Sequence, residues 1–487
     1  MQLLLLGLAL GIFLHDAGPM DLTPRRLSGW WVAVVVVTPK VWLGAAYWWA
    51  CRAVMRRVGS AGVGKSLRRV NRWSAALPIV GLLLFGLDLY VGWLGLIRGS
   101  DFGASTFPGP GLGAGIGGPR DWILLDEVAA MLPTLLLVGW SWWAYYPLDR
   151  RLKEVSILRR ADAGLPIYPI WTRGQYVLTQ ARNQLALILA PLLLIMAWSE
   201  TLVNLYDRGW IDARQQLWLT PVGAVVVFLV SPWMMKRLWD TVSLPPGPVR
   251  EKMEAMCRRH GVRVADLLLW RTFGGMINAA VMGFFAPVRY ILLSDGLLDQ
   301  VPEHEVEAVM AHELAHVRLR HLWWLLIGAA AGAAGLSWLG EAVIAAVGDA
   351  AGAARWWIEP ALLAGSLGGW VVWFGYVSRR IERQADTFAA RHMQATMVRE
   401  RADVDDGTFG AGAVSAMVHA LQRVADLNHI APRRRSWRHG SIAWRQGYLR
   451  SLVGRPLARP SVDVQLGWIK LGSVGLLLAY AGWAWLG

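Results

Sequence analysis

Val309-Met310-Ala311-His312-Glu313-Leu314-Ala315-His316-Val317-Arg318-Leu319-Arg320-His321-Leu322-Trp323-Trp324-Leu325-Leu326-Ile327 joins two environments in one short stretch. Its second half opens an apolar run, 322–345, long enough to cross a bilayer. Its first half is a helical pattern that carries titratable groups. His312 and His316 stand four residues apart, so on a helix they share a face and both imidazoles can reach one zinc ion. Glu313 lies beside them, where a carboxylate can take the proton of an attacking water. The stretch therefore predicts a metal site at the mouth of a transmembrane helix.

A catalytic zinc needs a third protein ligand and an open position. Glu382 is the candidate, in Ser378-Arg379-Arg380-Ile381-Glu382-Arg383-Gln384-Ala385-Asp386. It follows the apolar run 357–377 as the two histidines precede the run 322–345. A two-span hairpin returns Glu382 to the membrane face that the chain left. Asp386, four residues on and on the same helical face, is placed to accept a hydrogen bond from a ligand imidazole and fix its tautomer. His321 reads as an interfacial residue at the end of the motif helix, and His304 as solvated. His392, His419 and His429 are not expected to be ligands.

Working outward, apolar residues make up 55 % of the 487-residue chain and charged residues 17 %. That balance belongs to polytopic membrane proteins. Spans are expected at 30–50, 75–97, 122–146, 185–206, 216–235, 322–345, 357–377 and 465–486, with a shorter run at 1–14 that lacks the marks of a cleaved signal peptide. Trp30, Trp73, Trp122, Trp323 and Trp356 stand near the ends of such runs, as interfacial rings do. Pro39 and Lys40 sit near the middle of one run. Asp88, Asp126, Glu127 and Glu200 also fall in spans, where such residues either pair with Lys40 or line a water-filled cavity. The chain divides as 1–235, a transmembrane region; 236–321, a catalytic segment with the motif helix; 322–377, the hairpin; 378–463, a second catalytic segment with the third zinc ligand; and 464–487, a last span. Short strands are expected at 267–270, 277–282 and 289–293, and a helix over 251–260. The fold class is a mainly α polytopic membrane protein, with a small α+β zincin-type catalytic domain split by a transmembrane hairpin.

The loops 51–73 and 148–183 carry seven Lys/Arg each, against two each in 15–29, 98–121 and 207–215. Alternation of spans puts the basic loops and both catalytic segments on one side, which the positive-inside rule makes the cytoplasm. The net charge of +15 is then the surplus of these loops, not a nucleic-acid-binding surface. Cys51 and Cys257, far apart and expected in cytoplasmic loops, exclude a disulfide framework and a Cys-rich metal site.

Over residues 244–450 the sequence resembles the membrane zinc peptidases that include bacterial HtpX and the type I CAAX prenyl endopeptidases. The resemblance rests on Glu305-Val306-Glu307-Ala308-Val309 and Ala311 to His316, on Ser378-Arg379 through Glu382 to Asp386, and on Asn278-Ala279, Gly283 and Gly296-Leu297-Leu298. It implies that Asn278 and Ala279 lie on an edge strand that receives the substrate backbone by β-augmentation. It also implies that His439 or Arg445 stabilises the oxyanion, in His439-Gly440-Ser441-Ile442-Ala443-Trp444-Arg445, where Gly440 replaces the family's proline. The implied protein is a zinc metalloendopeptidase in a bacterial inner membrane with its site facing the cytoplasm. It would hold one Zn2+ per chain and act on peptides or proteins that are membrane-embedded or lipidated, in quality control or processing. The alternatives from other classes are a membrane transporter, resting on the acidic residues in the spans, and a zinc-bound scaffold without turnover.

Overall fold

The computed structural model describes Leu4, Leu5, Leu8, Ile12 and residues 29–57, 63–98, 123–162, 164, 167–347, 355–400, 407–458 and 460–486. Most of the run 1–14, Trp122 and the Gly-rich loop 109–118 lie outside the described residues. The chain forms two compact units, Met1–Trp239 and Asp240–Gly487.

The first unit is helical: α1 Gly29–Met55, α2 Val63–Tyr90, α3 Trp93–Arg98, α4 Leu125–Asp162, α5 Arg173–Gln180, a π-helical turn Ala181–Ala186, α6 Leu187–Asp207 and α7 Ala213–Leu238. α1, α2 and α4 pack together, and α6 pairs with α7. The expected span 75–97 is not continuous. Gly92 takes φ +86°, a left-handed conformation that ends one helix and lets the short α3 begin. The span expected over 185–206 has a preamble, α5 and the π turn, opened by a capping box between Thr172 and Gln175. Lys40 does face protein: its Nζ donates to both Asp88 oxygens at 2.7 Å and to the Val36 carbonyl at 2.9 Å. Of the two roles open to the acidic residues, Asp88 takes the pairing one. Trp30 and Trp323 are exposed side chains near helix ends, as interfacial rings require, while Trp73 is exposed but lies well inside α2.

The second unit holds β1 Thr241–Ser243, α8 Pro248–Arg259, β2 Asp266–Trp270, β3 Ala279–Met282, β4 Tyr290–Ser294, α9 Asp295–Gln300, α10 Glu303–Arg318, α11 His321–Val347, α12 Arg355–Arg399, α13 Ala411–Leu427, α14 Ile442–Arg450 and α15 Ser461–Leu486. The sheet order is β1-β2-β4-β3, with β2 parallel to β4 and the outer pairs antiparallel. β3 is therefore an edge strand, and α10 packs along it. Gly283 closes β3 at φ +95°, where a Cβ would stand 2.1 Å from the Val288 carbonyl oxygen. One core unites these elements: Leu267, Ile291 and Leu293 of the sheet, Val306, Met310 and Leu314 of α10, Met393 of α12 and Met417 of α13 are all buried in it.

Seven helices among the described residues are long and apolar enough to cross a membrane: Trp30–Met55, Ser66–Tyr90, Leu125–Glu154, Ile188–Asp207, Ala213–Leu238, His321–Val347 and Ser461–Trp483. The run 357–377 is not one of them. It is the first half of the long α12, diluted by Gly365, Gly368, Gly369 and Gly375, and the same helix continues without a break into Glu382 and Asp386. α12 still returns against α11, locked by Trp373 Nε1 donating to Gly328 O at 2.7 Å and Trp370 Nε1 to Ala329 O at 2.9 Å. Neither cysteine lies in a loop: Cys51 is buried in α1 and Cys257 in α8, both as free thiols.

Candidate active site

α10 starts after Pro302, with Glu303 and Glu305 in its first turn, where carboxylates favour the positive end of the helix. Two buried anchors fix its angle. Glu305 accepts from Arg423 Nε of α13 at 2.6 Å. Glu307 accepts from His392 Nε2 of α12 at 2.9 Å and pairs with Lys252 of α8 at 2.8 Å. Burial opposes ionisation of Glu307, yet His392 and Lys252 outweigh it and hold the carboxyl down at about 2. The helices that carry the candidate ligands are thus tied together away from the site as well as at it.

On the inner face of α10, His312 Nε2 and His316 Nε2 stand 3.3 Å apart. Glu382 Oε2, from α12, is 3.6 Å from His312 Nε2. One donor atom from each of the three lies within 4.8 Å of the others. Ligands about 2.0–2.2 Å from a tetrahedral zinc stand about 3.3–3.6 Å apart, so this two-nitrogen, one-oxygen set fits that ion. Asp386 and Glu382 occupy one face of α12, one turn apart. Asp386, fully buried, accepts from His312 Nδ1 at 3.0 Å. Arg445, from α14, grips Asp386 with Nε at 2.9 Å and Nη2 at 2.5 Å, and its Nη1 is 3.4 Å from Glu382 Oε2. His439 Nδ1 meets Glu382 Oε1 at 2.8 Å.

The charges are set by this crowding. Burial works against the Glu382 carboxylate, but His312, His439 and Arg445 hold it well below the usual range. Asp386 is likewise lowered, with Arg445 as its main partner against burial. Burial pushes His312 down, while the bonds to Asp386 and Glu382 more than reverse this and raise it to about 9. His316, buried and next to His321 and His312, is held far below its usual value. Glu313 is lifted to about 7 by burial, against the pull of His312, Arg445 and His439, with Glu382 adding to the rise. Carboxylates near neutrality are suited to proton transfer.

The cavity in front of this cluster has a volume of about 1220 Å3. β3 forms one wall, with Asn278 through Val281; α10, the start of the Glu382 segment, α13 and the loop of Arg434–Gly440 form the others. Asn278 is exposed and precedes β3; Ala279 is its first residue, opposite Leu293. His439 and Arg445 line the same space, with the His439 side chain 52 % exposed and Arg445 buried. So all nine sequence-derived site residues come together. Gly440 is explained by its backbone: φ is +75°, unreachable for the fixed ring of proline, and a Cβ there would stand 2.6 Å from the Trp444 ring.

Two sets of neighbours were missed by sequence reasoning. His321 is buried, not interfacial, and its Nδ1 lies 3.0 Å from His316 Nδ1. On a continuous helix a residue five positions on points about 140° away. Here Arg320 takes φ +55°, which breaks α10 from α11 and turns His321 back. Asn428, at the C-terminus of α13, bonds both backbone groups of Ile277: Oδ1 accepts from N at 3.1 Å and Nδ2 donates to O at 2.8 Å. No local pattern announces either contact.

Residues 249–409 match peptidase family M48. The protease HtpX of Acinetobacter baylyi is 27 % identical over 104 residues, 20 % of this chain and 34 % of that protein. The HtpX homolog of Herminiimonas arsenicoxydans is 30 % identical over 103 residues, 20 % of this chain and 33 % of that protein. The match spans about a third of the length of these curated relatives. The crystal structure of S. mikatae Ste24p aligns with 88 % of this chain and 100 % of its own, at 14 % identity and a TM-score of 0.48. The matched segment contains the motif helix, the edge strand and the Glu382 turn, so it is over these elements that the chain is similar to peptidase family M48 and to the HtpX proteases.

Proposed function

We propose that this chain is a zinc-dependent membrane endopeptidase. The observation that carries the reading is convergence: donor atoms of His312, His316 and Glu382 meet beside Glu313, at a cavity walled by an edge strand. When bound to these three residues, one Zn2+ supplies Lewis-acid polarisation of a scissile carbonyl and acidifies water. A peptide pairs in extended form with the open side of β3, beside Asn278 and Ala279. Glu313 takes the proton of the attacking water and passes it to the leaving amine nitrogen, which departs neutral. Asp386 orients His312, and Arg445 fixes Asp386 and Glu382 in turn. With Nδ1 given to Glu382, His439 keeps Nε2 for the developing oxyanion, the role the sequence divides between His439 and Arg445.

The substrates are peptides or proteins in or at the bilayer, in quality control or processing. The distribution of Lys and Arg supports a site on the cytoplasmic side, and the similarity to bacterial HtpX supports a bacterial inner membrane. Glu313→Gln tests the core of this reading. The detergent-purified variant should keep wild-type zinc content and lose casein cleavage by about 10²–10⁴-fold. Cleavage at the wild-type rate would remove Glu313 from the role of base, and wild type without zinc would remove the metal.

A further inference from the structure

A hydrogen-bonded chain leads from His316 to the last helix of the protein. His316 Nδ1 meets His321 Nδ1 at 3.0 Å. His321 Nε2 meets Gln384 Oε1 at 3.0 Å. Gln384 Nε2 donates to Asp463 Oδ1 at 2.7 Å. Arg391 Nη2 donates to the other oxygen, Asp463 Oδ2, at 3.1 Å.

The chain has a direction, and one residue sets it. An ionised carboxylate only accepts, so Asp463 forces the NH2 of Gln384 towards itself and the Gln384 oxygen towards His321. That oxygen needs a donor, so the His321 proton sits on Nε2. His321 is 1 % exposed, and neither of these bonds gives it a carboxylate, so it is a neutral imidazole with a bare Nδ1. A bare Nδ1 accepts, so His316 carries its proton on Nδ1. Its Nε2, the atom 3.3 Å from His312 Nε2, is left as a lone pair.

We infer that Asp463, acting through Gln384 and His321, is a positioning residue that fixes the metal-binding tautomer of His316. This rests on the zinc reading above and extends it. His312 has a carboxylate directly behind it, in Asp386; His316 has its carboxylate at two removes, on α15.

Arg391 supplies the test. In Asp463→Asn, its guanidinium still demands an acceptor, so the new amide oxygen turns to Arg391 and the NH2 faces Gln384. Gln384 then flips, and every bond in the chain reverses. His316 is left protonated on Nε2, the wrong atom. Removing Arg391 frees the asparagine to present its oxygen to Gln384 and restore the direction. The experiment is competition for zinc with a chromophoric chelator, on the detergent-purified full chain. Asp463→Asn should bind zinc about 10–100-fold more weakly than wild type. Arg391→Leu alone should bind as wild type does, and Asp463→Asn with Arg391→Leu should recover most of the loss. Wild-type affinity in Asp463→Asn, or a double variant as weak as the single one, overturns the inference while leaving the zinc site standing. Wild type that binds no zinc overturns both.

Discussion

Each unit of the molecule buries a charged cluster, and the two are built on opposite plans. In the first unit, Lys40 and Asp88 close on each other. All three hydrogens of the ammonium are used, two on the carboxylate and one on the Val36 carbonyl, and both side chains are at most 5 % exposed. In the second unit, Arg445, Asp386, His312, Glu382 and His439 satisfy one another on one side only. Nε2 of His316 and the Glu313 carboxylate are left facing the same cavity, with the protonated His312 beside them. A closed pair holds helices together; an open cluster keeps groups unspent, which is what the proposed metal and substrate roles require.

The largest effect should come from breaking the closed pair. Lys40→Met strands Asp88 in a buried position and should destabilise the protein by about 3–5 kcal/mol, read from thermal unfolding in detergent. Lys40→Met with Asp88→Leu removes both charges and should recover all of that loss. If the double variant is as unstable as the single one, Lys40 and Asp88 do more than neutralise each other, and the contrast with the open cluster fails.

The open cluster should instead reveal itself through protons. His312, raised to about 9, is protonated at neutral pH when no metal is bound. A histidine whose pKa is raised on folding stabilises the metal-free fold fully below about 6.5, and that contribution fades as pH climbs to about 9. Metal binding must expel the same proton. Zinc affinity should therefore rise about tenfold per pH unit between pH 6.5 and 9 and then level off. Metal-free stability should move the opposite way over the same window. Affinity that is flat across this window would mean that His312 is already neutral and that Asp386 does not hold a charged imidazole.

What could be read from the sequence follows from the range of the interactions. His312, Glu313 and His316 sit within one turn and a half of helix, and Glu382 and Asp386 within another, so helical periodicity alone sorts them onto faces. The hairpin that brings the two turns together was legible as apolar runs, though 357–377 proved to be half of a longer helix. The polar network behind the site was not legible. His321 reaches His316 only because Arg320 adopts a left-handed backbone. Asp463 is 79 residues from Gln384, and Asn428 is 151 from Ile277. A periodic pattern carries no record of pairs so distant.

The smallest effect sharpens where the open cluster ends. Asn278 and Ser294 exchange bonds across the ladder: Ser294 N donates to the Asn278 carbonyl at 3.0 Å. In an antiparallel pair the direction alternates, so the backbone groups of Ala279 and Val281 face away from β4, toward the open edge. Ile277 faces the same way, yet its N–H and C=O are both taken by the Asn428 carboxamide, which imitates one peptide unit of a neighbouring strand. The edge is thus free at two alternate residues and plugged at the third. Asn428→Ala should unplug it. Each hydrogen bond is worth about 0.5–1.5 kcal/mol net, so KM for peptides long enough to reach Ile277 should fall by about 2–10-fold. Shorter peptides should show little change, and kcat should hold for both. A nested series of peptides extended one residue at a time makes the measurement. An equal change for every length would mean that Asn428 supports the fold of β3 and does not mark the end of the substrate strand.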